Sequence, residues 1–229
     1  MTAHEPSRLT ARPAGSGEPS GRRLESGLRH LGLGGDRDGL LYVPHAAAAG
    51  GPCPLIVSLH GARGHAAAMV AHPVLERAEA IGALVLAPDS RGGTWDVLTG
   101  GFGPDVAFLD AALRAVFASV PVDPARVAIS GFSDGASYAL SVGLVNGDLF
   151  THVLAFSPGF MAPDSQHGQP PIFISHGTED AVLDIRRCSR ELVPLLEQVG
   201  YTVSYVEFEG GHQVPPEVLD HAFAWFAGT

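Results

Sequence analysis

The 229 residues, 45% hydrophobic and 17% charged, suffice for one α/β domain with a substantial core, and no apolar run is long enough to span a bilayer. The formal charge of -10 repels nucleic acid and acidic membranes; all 14 basic residues are arginine, which excludes Schiff-base and Ser-Lys chemistry. Cys53 and Cys188 lie far apart, outside any CxxC, and read as free thiols; the 11 histidines are scattered without HxH or HExxH spacing, so neither metal nor cofactor is expected.

Residues 1–23 are rich in Pro, Gly, Ser and Arg and nearly devoid of apolar side chains, which predicts a flexible tail ahead of a single catalytic domain over 24–229. Arg22-Arg23 is followed by no hydrophobic region, and without a signal peptide a cytoplasmic enzyme is expected. Two strands, about 25–33 and 39–44, flank the turn-forming 34–38 and form an antiparallel edge. A small-residue loop over 46–54 delivers the chain into 55–59, a continuous apolar strand of the kind buried on both faces. A helix near 73–81 and a strand at 83–87 follow. The stretch 92–103 is too glycine-rich for a regular element and reads as a loop over the strand ends. Pro104-Asp105 then opens a helix to about 119, with proline and an acid in its first turn.

Next comes the stretch that organises the rest. Arg126 to Ser130 is a short buried strand, and Asp134 to Val145 carries apolar and small residues at helical spacing until Asn146-Gly147. Between them, Gly131-Phe132-Ser133-Asp134-Gly135 makes a sharp strand-to-helix turn that projects the serine hydroxyl from the sheet edge. Beyond it lie strands at 152–156 and 171–175, a helix over 183–199, a strand at 202–208 and a last helix over 216–227. Alternating strands and helices predict an α/β architecture: a mostly parallel central sheet, helices on both faces, and no insertion long enough for a large lid.

A serine hydroxyl is a poor nucleophile at neutral pH, so the turn implies a base within reach and an acid to orient that base. Two loops after Ser133 supply candidates. His176-Gly177-Thr178-Glu179-Asp180 follows the 171–175 strand, and Gly210-Gly211-His212 follows the strand ending near 208. Ser133, Asp180 and His212 are the candidate catalytic residues, with Glu179 and Asp184 as rival acids; His60 and His176, each directly before a glycine turn, take backbone-positioning or core roles. The oxyanion of a tetrahedral intermediate needs fixed donors. These are expected from the amide of Asp134 and from His60-Gly61-Ala62-Arg63-Gly64, with Ala62 first and Arg63 second. Candidate pocket walls are Arg63, Trp95, Phe102, Phe132, Phe160 and Met161.

The set Leu59-His60-Gly61, Gly131-Phe132-Ser133-Asp134-Gly135, His176 to Asp180 and Gly210-Gly211-His212 resembles the phospholipase/carboxylesterase branch of the α/β-hydrolases over about residues 24–226. That branch includes bacterial carboxylesterases, acyl-protein thioesterases and polyhydroxybutyrate depolymerase-like esterases. The resemblance implies hydrolysis of short to medium acyl esters by a compact, uncapped enzyme. It often has Gln where this chain has Asp134; a carboxylate there disfavours anionic acyl groups, which lowers thioesterase and lysophospholipase activity beneath hydrolysis of small neutral esters. Short polyesters, and a non-catalytic binding protein of the same fold, are the remaining alternatives. The expected partner is a small-molecule ester, with the chain a monomer or, through an apolar surface on the last helix, a homodimer.

Overall fold

A computed structural model describes residues 5–13 and 25–228. Among these residues the strands form an eight-stranded sheet in the order β1-β2-β4-β3-β5-β6-β7-β8. The strands are β1 (Gly27–His30), β2 (Gly39–Val43), β3 (Cys53–Leu59), β4 (Leu84–Pro88), β5 (Val122–Phe132), β6 (His152–Phe156), β7 (Ile172–Gly177) and β8 (Val203–Phe208). The first two run antiparallel to each other, β2 runs antiparallel to β4, and every other pairing is parallel.

The helices are α1 (Ala66–Met69), α2 (His72–Ile81), α3 (Pro104–Ser119), α4 (Asp134–Val145), α5 (Ser189–Gln198) and α6 (Pro216–Gly228). Strand periodicity of two divides the core between the two faces of the sheet. In β3, Leu55, Val57 and Leu59 face a cluster that includes Leu109 and Leu113 of α3, Leu140 of α4 and Leu196 of α5. Ile56, between them, packs on the other face with Ala78 of α2 and Phe223 and Phe226 of α6. The apolar side of α6 is therefore buried within the chain's own core.

Several local expectations are corrected. The 46–54 segment contains a 3-10 helix, His45–Ala49, and β3 begins at Cys53; another 3-10 turn, Asp96–Leu98, lies inside the glycine-rich loop. The helix expected from 183 starts only at Ser189, because Asp180 and Asp184 each bond amides two or three residues on, and those turns compete with helix.

The larger correction concerns the expected flexible tail. Residues 5–13 are docked on the domain, while 1–4 and 14–24 lie outside the described residues. Ser7, Leu9 and Ala11 are buried. Asn146, just after α4, accepts the Leu9 amide at 2.8 Å and donates to the Ser7 carbonyl at 2.9 Å. Asp110 of α3 accepts the amides of Thr10 and Ala11, and Asp148 receives Arg8 and Arg12, each at 2.7 Å. A low-hydrophobicity segment thus orders through polar anchors and one buried leucine.

Parallel register sets the site. Leu59 of β3 lies opposite Gly131 of β5, Phe132 opposite Phe156 of β6, and Gly177 of β7 opposite Phe208 of β8. The loops leaving β3, β5, β7 and β8 consequently emerge along one edge.

Candidate active site

Ser133 occupies the turn between β5 and α4 with φ 58° and ψ -121°, a conformation that costs a non-glycine residue about 1–3 kcal/mol. The turn is tightly enclosed. A Cβ on Gly131 would lie 2.2 Å from the Gly135 carbonyl oxygen, and one on Gly135 would lie 2.2 Å from the carbonyl oxygen of Leu59. Glycine at both positions is thus a steric requirement. The Ser133 amide donates to Phe156 of β6 at 2.9 Å, and its carbonyl accepts from Ala136 and Ser137, which ties the strained residue to sheet and helix together.

The three candidate catalytic side chains come together. The Ser133 Oγ lies 2.8 Å from His212 Nε2, and His212 Nδ1 lies 2.6 Å from Asp180 Oδ2. Ser133 and Asp180 are buried, and the Phe132 ring lies against the imidazole, with centroids 4.7 Å apart. Burial alone would raise the Asp180 carboxyl, but the amides of Leu183 and Val182, each 2.8 Å from Oδ1, together with His212, hold it below the ordinary aspartate range. The rival acids stand elsewhere: Asp184 is paired with Arg186, and Glu179 makes no hydrogen bond or ion pair with His212 among the described residues.

His176 and His60 anchor backbone, as anticipated. The His176 ring is fully buried; its Nε2 donates to the Leu183 carbonyl at 2.8 Å and approaches Asp180 Oδ2 at 3.3 Å, while Nδ1 accepts from Ser189 Oγ at 2.7 Å. His60 Nδ1 donates to the Gly61 carbonyl at 2.7 Å, and its Nε2 accepts the Ser90 amide at 3.0 Å. Burial pushes both imidazoles below their usual range, keeping them neutral.

Of the two oxyanion donors considered after β3, Arg63 has its amide engaged by the Gly93 carbonyl at 2.6 Å. The amides of Ala62 and Asp134 have no partner among the described residues, and that of Asp134 points from the N-terminus of α4. The arrangement presents a hydroxyl bonded to an imidazole, an imidazole oriented by a carboxylate, and two free amides alongside, the equipment for acyl transfer.

The expected pocket walls divide. Arg63 is exposed and lines a cavity beside Asp134. Trp95 is buried at 1% exposure, stacked on Tyr138, with its Nε1 donating to the His60 carbonyl; it is a core residue that braces the β3 loop. Phe102 and Met161 pack against the core, and Phe160 is half-buried on a loop whose amides bond Ser137 of α4. Sequence reasoning missed Thr94, whose hydroxyl donates to Asp134 Oδ2 at 2.6 Å; nothing in a glycine-rich loop singles out that threonine. Among the described residues there is no group of three or more His, Cys, Asp or Glu able to hold a metal ion, and no helix is long and apolar enough to cross a membrane.

This sheet order with these edge loops defines an α/β-hydrolase. Similar folds include the esterase PE8 (TM-score 0.68, 24% identity, covering 84% of this chain and 98% of that one) and the carboxylesterase of Bacillus cereus (0.64, 19%, 84% and 94%). The S-formylglutathione hydrolase FrmB of Staphylococcus aureus matches at a TM-score of 0.69 and 13% identity, over 88% of this chain and 100% of that one. No curated protein matches the chain significantly in sequence. The phospholipase/carboxylesterase family model matches residues 107–226, just over half of the chain. The chain belongs to this family of hydrolases.

Proposed function

We propose that the protein is a serine carboxylesterase acting on small to medium neutral acyl esters, with residues 24–229 as its catalytic domain. Ser133 Oγ attacks the ester carbonyl while His212 Nε2 takes its proton, and the amides of Ala62 and Asp134 receive the oxyanion. Collapse expels the alcohol, which takes that proton from His212, and leaves an acyl group on Ser133. Water then attacks the acyl carbon, gives a proton to His212, and releases the acid as Ser133 regains its hydrogen. Asp180 fixes the imidazole tautomer and stabilises its protonated form. The carrying observation is the continuous chain of 2.8 and 2.6 Å contacts from a strained serine to a buried carboxylate.

The test is turnover of p-nitrophenyl esters from acetate to palmitate, with mass spectrometry of the peptide labelled by a fluorophosphonate. Label on Ser133 and activity highest on short chains are the expected results. No turnover and no label would instead favour a non-catalytic binding protein of this fold.

A further inference from the structure

The two amides assigned to the oxyanion, those of Ala62 and Asp134, belong to segments remote in sequence, so their spacing depends on what joins the loop after β3 to the start of α4. Close packing supplies part of the joint: a Cβ on Gly61 would lie 3.3 Å from the Ser133 Cβ. A third segment, residues 90–95 in the loop after β4, supplies hydrogen bonds. The Ser90 amide donates to His60 Nε2 at 3.0 Å, the Trp95 indole donates to the His60 carbonyl at 2.8 Å, and the Gly93 carbonyl accepts the Arg63 amide at 2.6 Å. Ala62 therefore sits between two anchored residues, one of them, Arg63, held at φ 58°.

Those bonds all reach the β3 loop. Among the described residues, one hydrogen bond carries the same segment across to α4: the Thr94 hydroxyl donates to Asp134 Oδ2 at 2.6 Å. Trp95 stacks on Tyr138 further along that helix, but only Thr94 bonds the residue whose amide is the proposed donor.

A carboxylate only accepts, so the hydroxyl must donate, and a charged acceptor makes the bond stronger than one between neutral groups. Asp134 is the first residue of α4, and its side chain and amide share one Cα. Holding the carboxylate therefore restricts the first turn of the helix and the direction of its amide. An oxyanion donor works by being fixed before the charge develops. We infer that Thr94 is a positioning residue for the oxyanion site, which holds the Asp134 amide in register with that of Ala62 and acts only through Asp134. This inference rests on the esterase reading above and adds a residue to its machinery.

The test compares Thr94→Val, which keeps the shape and loses the hydroxyl, with Thr94→Ser, which keeps the hydroxyl, on p-nitrophenyl acetate. Removing an oxyanion donor outright costs about 10²–10³-fold in kcat, and misplacing one should cost less. Thr94→Val is expected to lower kcat and kcat/KM equally, by about 10- to 100-fold, with KM within about threefold of the parent, the mark of an interaction made in the transition state. Thr94→Ser should restore kcat to within about threefold of the parent. The threonine is half-buried in a loop, so Tm should move by no more than about 3 °C in either variant. In an Asp134→Ala background, where the tether is already gone, Thr94→Val should cost less than about twofold more.

Thr94→Ala repeats the loss of the hydroxyl should valine unsettle the loop. Three results would each overturn the role of Thr94 while the parent turns over the ester and is labelled on Ser133, leaving the esterase reading in place. They are kcat within about twofold of the parent in both variants lacking the hydroxyl, a loss that falls on KM alone, or a loss that persists in full in the Asp134→Ala background. A parent with neither turnover nor label removes the esterase reading, and this inference with it.

Discussion

The two ends of helix α4 are held by opposite means. At its N-terminus, where Ser133 meets Asp134, a five-residue turn is closed by steric necessity: glycines that admit no Cβ, a serine at φ 58°, and neighbours on adjacent strands. Twelve residues on, roughly 18 Å away along the axis, the C-terminus is secured by residues 5–13. These arrive from more than 130 positions earlier and are read by Asn146 and Asp148. The first end holds a strained serine at the proposed site, and the second adds order away from it. Local geometry therefore builds the site, and long-range contact braces the scaffold behind it.

The sharpest way to break this comparison is at the first end. Ser133→Ala is expected to lower kcat by about six orders of magnitude, as removal of a triad serine does, with the unfolding midpoint little changed because alanine keeps the Cβ and with it the strain at φ 58°. Activity within tenfold of the parent would end the assignment of Ser133. Asp180→Asn should lower kcat by about 10⁴-fold by presenting the wrong imidazole tautomer, measured on p-nitrophenyl acetate at saturation.

The opposite end should answer in stability. Leu9→Ala removes a side chain buried at 1% exposure and is expected to cost about 2–5 kcal/mol, lowering Tm by roughly 5–15 °C, while kcat/KM at 25 °C stays within a factor of two. A variant with unchanged Tm would mean that the docked segment does not contribute in solution. A comparable loss of kcat/KM would mean that the two ends are coupled.

A smaller, distributed effect involves both ends. His60 and His176 at the catalytic edge and His152 at the start of β6 are pushed below the usual imidazole range by burial. Each stays neutral in the folded protein but protonates near about pH 6.5 once unfolded. The unfolded state therefore binds more protons as pH falls, so stability present above that pH should decline from pH 7 towards 5. Denaturant unfolding at pH 7.5 and 5.5 measures it, and greater stability at the lower pH would contradict the assignment of neutral, buried rings.

Much of the site was legible because its chemistry depends on local pattern. A glycine-flanked serine between an apolar strand and a helix must form a sharp turn, and an acid and a histidine after later strands must emerge at the same edge of a parallel sheet. Residues whose roles depend on distant partners were less readable. Trp95 looked like a pocket wall because it lies in a glycine-rich loop, but its ring has Tyr138 to stack on and its N–H has the His60 carbonyl to bond. Thr94 carried no signal, because its role exists only once folding places it against Asp134, 40 positions away.

The amino-acid sequence by itself determined the alternating α/β architecture, the strand–turn–helix around Ser133, and the order of serine, acid and histidine along the chain, since each follows from periodicity and short-range sterics. Tertiary structure decided which acid meets His212, which amide after β3 stays free, that Thr94 bonds Asp134, and that residues 5–13 are docked. Each of these depends on distances between segments remote in sequence, and hydrogen bonds and burial act through distance in space.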